Sequence, residues 1–342
     1  MLASAVGAPI GLLDRHAQER RIRNRRVLGR VARRVVGRDF RLPATRSTPS
    51  VEGSDHVFFM AHGPWDLPLL ERLRSLRSPG VTVSVWMPEV WPGDLSDPRI
   101  EYECYSMIDH VFVGIHEAVE PFTEIVPSAQ VHFLPPAVDV MRFAPVDPFA
   151  DRPISVLGIG RRDPEQHREL VDWARTRQAL YLYDTVEGRA IDWEEHRNAL
   201  ANWYQHSNAL ICNFAKHNMP SETGDLRTMP GRLFEGLGAG AILIGRPPDE
   251  ESQRRVLGTT VVEPLGDSPR PLTELLDRFL DPAQAQAIRV RNLTLACRGH
   301  DWGHRWRTAY EAVGLEVPFG LQNRLDDLAK KADEYEELAA SR

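Results

Sequence analysis

The stretch Thr228-Met-Pro-Gly-Arg-Leu-Phe-Glu-Gly-Leu-Gly-Ala-Gly-Ala-Ile-Leu-Ile-Gly245 decides the reading of the fold. Thr228 predicts an N-cap, and Pro230 suits a first helical turn, where an amide is unbonded in any case. Leu233, Phe234 and Leu237 share an apolar face at helical spacing, with Arg232 and Glu235 polar beside it. Gly238 and Gly240 predict the stop, and residues 241–244 read as a short buried parallel strand. A helix that starts at the carboxyl edge of such a sheet presents free amides and the positive end of its dipole. That predicts an anion site.

Outward from this stretch, strand and helix patterns alternate. Strands are expected at 57–61, 81–87, 109–113 and 131–134, with helices at 67–76 and 116–122 between them. A second unit follows, with strands at 154–158, 180–183, 209–213 and 259–262. The alternation predicts an α/β chain with parallel, doubly wound sheets. The composition divides it into a basic helical arm and linker (1–45), two α/β domains (46–150 and 151–320) and an amphipathic C-terminal helix (321–342).

The chain has 342 residues, enough for two domains, and no apolar run approaches the ~20 residues that span a bilayer. No signal-peptide pattern stands at the N-terminus, and three scattered cysteines give neither a disulfide framework nor a zinc pattern, so a cytoplasmic setting is expected. Net charge is −6, but residues 1–42 carry +8 and the remainder −14. Within 10–40, Ile22, Leu28, Val31 and Val35 share a helix face among arginines. This reads either as a solvated helix packed on the acidic body or as a peripheral anchor on an anionic membrane's inner face. No aromatic residue precedes Phe40, which speaks against nucleic acid. In the tail, Leu321, Leu325, Leu328, Ala332, Tyr335 and Ala339 form a coiled-coil-like seam. It is expected to pack on the chain's own N-terminal region rather than on a second copy; the oligomeric state stays open.

Two stretches carry a resemblance. Residues 131–145, VHFLPPAVDVMRFAP, resemble the interdomain connection of GT-B glycosyltransferases, and Arg232-Leu-Phe-Glu-Gly-Leu-Gly-Ala-Gly-Ala-Ile-Leu-Ile244 resembles their donor-binding helix, in the CgeB-like (spore maturation protein-like) branch. The order of residues 82–89, 108–113 and 300–305 agrees. The resemblance covers about residues 54–314. It implies two facing Rossmann-like domains, the first reduced and binding an acceptor, the second binding a nucleotide-diphosphate sugar. It implies hexosyltransferase-like transfer to an acceptor hydroxyl, as in polysaccharide or glycoconjugate biosynthesis.

By family role Glu235 would bind the donor ribose, and the amides at Thr228, Met229, Gly231 and Arg232, around Pro230, would meet the diphosphate. Arg161, in preference to Arg162, would stabilise the leaving group. Relatives place a lysine a few residues later; here Gln166 and His167 stand there, and Lys216 or Arg227 is expected to supply the missing cation. Among residues that follow N-domain strands, His62 and Glu89 are the first candidates for acid–base catalysis, with Asp94 and His116 behind them. His300 and His304 read as packing residues. With no Asp-x-Asp element and no partner at ligand spacing, no metal and no cofactor are expected. Two departures from the pattern stand out. Arg227 occupies the position where retaining members carry a first glutamate, which leaves the stereochemistry open. The basic arm replaces the usual first strand and glycine-rich loop. The alternative reading is a non-catalytic GT-B-like nucleotide-binding or interaction protein; the acceptor, sugar and base are unassigned.

Overall fold

The computed structural model describes residues 54–70, 80–96, 102–183, 193–264 and 272–341. The basic arm lies outside them, as does most of the helix expected at 67–76, whose beginning is a 3-10 turn, Pro64–Leu69. The first sheet is parallel throughout, in the order β1 (His56–Met60), β2 (Thr82–Met87), β3 (His110–Val113) and β4 (Gln130–Phe133). Its strands alternate as period two requires. Val85, Met87, Val111 and Val113 face a core closed by Leu67, Leu70 and Phe122, the last on α1 (Val119–Ile125). The opposite face carries Trp86 and Phe112.

The chain leaves this unit through Leu134 and the short helix α2 (Val140–Phe143). The second unit contains β5 (Ile154–Gly158), α3 (Pro164–Arg177), β6 (Tyr181–Tyr183), α4 (Trp193–Gln205), β7 (Ser207–Ile211), α5 (Pro220–Thr223), α6 (Gly231–Gly238), β8 (Ile242–Gly245), α7 (Glu250–Leu257) and β9 (Val262–Pro264). After these come α8 (Leu272–Phe279), α9 (Pro282–Leu295), a π-turn (Ala296–His300), α10 (Trp302–Ala312) and α11 (Phe319–Ala340). The second sheet is also parallel, in the order β6-β5-β7-β8-β9. Helices cover both faces, so Ile242, Leu243 and Ile244 are buried in succession, as a central parallel strand requires.

Helix α10 crosses back to the first sheet and covers its aromatic face. Trp302 stands edge-on to Trp86 at 5.3 Å, and Trp306 lies 4.6 Å from Phe58. The crossing is tied by backbone: Val138 donates to the His300 carbonyl (3.1 Å) and Trp302 to the Val138 carbonyl (3.0 Å). Arg305 reaches the carbonyls of Pro135 (2.9 Å) and Gly299 (3.0 Å).

Two local expectations are corrected. Helix α6 begins at Gly231 with Pro230 as its cap, not at Thr228. A residue before proline is driven to extended backbone, so Met229 cannot enter a helix, and Thr228 is buried with its carbonyl accepting from Ala215 (3.0 Å). The tail seam does bury Leu321, Leu325, Leu328, Ala332 and Tyr335, but Ala339 is exposed. Four of these residues pack with Val290 and Leu293 of α9 and Ala296 and Cys297 of the π-turn. Acidic Asp333 meets Arg298 at 2.7 Å. Any contact with the arm lies outside the described residues. No helix among the described residues is long and apolar enough to cross a membrane.

Candidate functional site

Strands β6 and β7 lie on opposite sides of β5, so the crevice beyond the carboxyl ends of β5 and β7 is the switch point of the second sheet. Ligands bind at such a crevice because the loops part there and helix starts face it. The loop after β5 carries Gly160, Arg161, Arg162 and Asp163. Gly160 has φ +81°, and a Cβ there would strike the Arg232 guanidinium. Arg232 donates to the Ile159 carbonyl, which fixes the start of α6 against this loop. Asp163 caps α3, accepting from the amides of Glu165 (2.9 Å) and Gln166 (3.1 Å), and pairs with Arg246 at 2.7 Å.

The loop after β7 completes the cradle. Asn213 Oδ1 accepts from the Arg246 amide (2.8 Å), and its Nδ2 donates to Gln166 Oε1 (3.0 Å). Gly245 is obligatory, since a Cβ would overlap the Cys212 carbonyl. The His217 ring stands edge-on to Phe214 at 6.1 Å, and Arg227 lies over Phe214 at 5.6 Å. Two buried polar atoms here have no hydrogen-bond partner: His217 Nε2 and Gln166 Nε2. Beside the cradle, Arg162 lies 5.4 Å over the half-exposed Tyr183 ring, and Tyr183 packs on Tyr181 and His167. Arginine side chains so outnumber the one capping carboxylate, and two nitrogens beside them have no hydrogen-bond partner. Its chemistry is that of an anion receptor.

The expected residues divide. Arg232 is bonded to the loop after β5, Arg161 stands exposed on that loop with its charge acting on His217, and Arg227 lies over Phe214. Glu235 is engaged within its own unit: Arg197 Nη1 donates to Oε1 (2.7 Å) and the Tyr204 hydroxyl to Oε2 (3.1 Å). A carboxylate has about four acceptor sites, so capacity for a hydroxyl remains. Burial and then the neighbouring Glu235 hold the Tyr204 phenol well above its ordinary pKa, so it stays a donor. Cys212, behind it, is pushed up to about 12 by burial and stays a thiol. Lys216 turns away from the cradle. With left-handed backbone (φ 51°), it pairs with Glu222 (2.9 Å) and reaches across to Glu89 (3.2 Å), its ammonium 5.3 Å over the Trp91 ring. The structure thus joins two expected residues, Glu89 and Lys216, to each other.

In the first unit His62 is exposed at the end of edge strand β1, its amide held by Asp66 (2.9 Å). Asp94 accepts from the Trp91 amide (2.9 Å), and the exposed His116 stands edge-on to Phe133. His300 and His304 are packing residues: Arg305 donates to His300 Nδ1 (3.2 Å), and His304 Nε2 bonds the Cys297 carbonyl (2.9 Å). Burial lowers the His300 pKa to about 3. No cluster among the described residues could hold a metal ion.

Asp163, His217, Arg246 and Tyr183 escaped the sequence reading. Asp163-Pro164 is a helix-start signal that could have marked the first. His217 lies in a loop without periodicity, and only the fold brings it to Arg246. A separate cavity of about 460 Å³ lies between the end of β4, α7 and the π-turn. Its arginines are engaged, Arg255 by Glu251, Arg298 by Asp333 and Glu336, and Arg305 by backbone carbonyls.

No family model and no curated protein matches the chain. Among solved structures, an alpha-glucosyltransferase in complex with UDP and a DNA containing an HMU base aligns with TM-score 0.51 at 12% identity, over 76% of this chain and 80% of that one. A trehalose-6-phosphate synthase aligns with TM-score 0.50 at 11% identity, over 90% and 79%. At such identities the likeness is one of fold. The chain has the two-sheet α/β architecture of the GT-B glycosyltransferases.

Proposed function

We propose that this chain is a glycosyltransferase of the CgeB-like type that moves a sugar from a nucleotide-diphosphate donor to an acceptor hydroxyl. The observation that carries the proposal is the cradle: Arg161, Arg232 and Arg246 gathered at the switch point around one committed carboxylate, with two unpartnered nitrogens beside them. In the reaction the bond from the anomeric carbon to the phosphate oxygen breaks and its electron pair goes to the phosphate. The acceptor oxygen forms the new bond and gives up its proton. Guanidiniums placed where that phosphate charge grows stabilise the transition state without a metal ion. Glu235 accepts from ribose hydroxyls with its remaining lone pairs. His62 is the proposed base for the acceptor; Glu89, tied to Lys216, positions the loop opposite the cradle. Arg227, where retaining members carry a glutamate, lies over Phe214. The work of the protein is intracellular, at or near an acidic membrane face if the arm anchors it.

The test is a thermal-shift panel of UDP, GDP, dTDP and ADP on the wild type and on Arg161→Ala. One nucleotide should stabilise the wild type, by about 2.7 kcal/mol at 100 times its dissociation constant, and less in the variant. Sugar release from the matching nucleotide sugar should then follow. If a folded wild type responds to none of them, the chain is the non-catalytic interaction protein instead.

A further inference from the structure

We propose that His217 is the proton-carrying ligand of the donor diphosphate: neutral in the free protein, it takes a proton from solvent as the anion binds and donates Nε2–H to a phosphate oxygen. The inference rests on the donor-site reading above and adds a residue and a proton to it.

Three observations lead there. First, His217 Nε2 is buried with no partner, and so is Gln166 Nε2 on the neighbouring helix start. Buried polar groups are nearly always paired, so these two unpartnered nitrogens leave hydrogen-bonding capacity that an anion's oxygens would satisfy. Second, the polar groups near His217 are each engaged by other partners. The Asp163 carboxylate is shared among Arg246 and the amides of Glu165 and Gln166, and Asn213 is held by Arg246 and Gln166. Third, the loop sends its two adjacent cationic candidates to different ends. Lys216 goes to Glu222 and to Glu89 of the first unit, while His217 stays against Phe214 in the field of the cradle. The cation that relatives supply through lysine is therefore not Lys216 here.

The charges facing His217 set the direction of the proton. Burial lowers its pKa from 6.5; Asp163 opposes this, and Arg246, Arg232 and Arg161 push it lower still. These charges thus favour the neutral ring. A diphosphate reverses the local field by placing anionic oxygens against it, and the ring then gains by protonating. Binding and proton uptake become linked, so affinity falls as pH rises. As the anomeric bond breaks and the electron pair settles on the phosphate, the imidazolium N–H is already directed at the oxygen that receives it.

The experiment is calorimetric titration of the full chain with the nucleoside diphosphate from the panel, at one pH near neutrality, in buffers of different ionisation enthalpy. The wild type should show net proton uptake, with affinity falling between pH ~6 and ~8. His217→Asn keeps a donor and should bind within about threefold while losing the uptake. His217→Phe should lose about tenfold or more in affinity, since a hydrogen bond to a charged group disappears. Uptake that persists in His217→Asn, or unchanged binding by His217→Phe, overturns the role of His217 and leaves the donor site standing. No binding by folded wild type overturns the donor-site reading and this inference with it. Circular dichroism and melting of each variant check the fold.

Discussion

Replacing Asp301 with alanine should unfasten the junction of the two units. Asp301 is fully buried between the connector and the start of α10. It accepts four hydrogen bonds: the amides of Val140 (2.8 Å) and Gly303 (2.7 Å), and Nε and Nη2 of Arg324, each 2.7 Å. Arg324 also holds Asp139 at 2.7 Å. Burial by itself would lower the Arg324 pKa, but the hydrogen bonds and charge of the two carboxylates raise it above its ordinary value. In the alanine variant the Val140 and Gly303 amides lose their acceptor, α10 loses its cap, and Arg324 keeps one carboxylate of two. Breaking a buried pair from one side costs about 3–5 kcal/mol, and Arg324's retained partner puts the expectation near the lower end. For a chain of this size that is a fall of roughly 4–7 °C in melting temperature. The assay is urea unfolding of the wild type, Asp301→Ala, Arg324→Ala and the double variant. Because all four bonds share one carboxylate, the double variant should fall short of the sum of the singles by about 1 kcal/mol or more. A loss below about 1 kcal/mol for Asp301→Ala, or strict additivity in the cycle, would refute the reasoning.

Two further expectations follow from exposed and buried rings. Tyr183 stands half-exposed beside the cradle with Arg162 over it, so Tyr183→Ala should weaken binding of the panel nucleotide by about 1–3 kcal/mol, the worth of one base stacked on an aromatic ring. Melting of the ligand-free protein should hardly change. The second concerns acid. His56, His110 and His132 lie across the first sheet, with His110 Nδ1 and His132 Nε2 3.1 Å apart, and burial foremost lowers the pKa of each from 6.5. The unfolded chain therefore binds more protons than the folded one just below pH 6.5, and stability drops as pH falls through that window. His132→Gln should flatten the drop in melts between pH ~7.5 and ~5; an unchanged slope would count against it.

The strands were legible because parallel strands buried on both faces are short apolar runs between turn signals, as in residues 81–87 and 154–158. The start of α6 was misread for a local reason. Thr228 has the chemistry of a cap, but Pro230 restrains Met229, and a rule about the residue before proline outranks cap preference. The tail showed its seam in its spacing and concealed its partner, because Leu325 and Leu328 fit any apolar face and nothing in their order names α9. The cradle was half legible. Arg161 and Arg232 sit at positions that strand ends and helix starts mark, whereas Arg246 and His217 owe their places to how the loops after β8 and β7 fold together. The sequence shows the charge of Lys216 but not which way its side chain turns from a left-handed backbone.

The two ties between the units differ in kind, and the difference bears on how the site works. At the junction the chain crosses twice, and both crossings meet at Asp301 and Arg305, which are buried and bound largely to backbone. Opening there would strand amides and charges without water, at several kcal/mol. On the side of the cradle the ties are side-chain contacts: Lys216 with Glu89, whose side chain is 53% exposed, and with the Trp91 ring, and Arg255 with Glu117 at 4.0 Å. An exposed pair is worth about 0–1 kcal/mol and is screened by salt. The two units are therefore held firmly at the hinge and lightly at the mouth. Lys216, which reaches the other unit, stands one residue from His217 on the same loop.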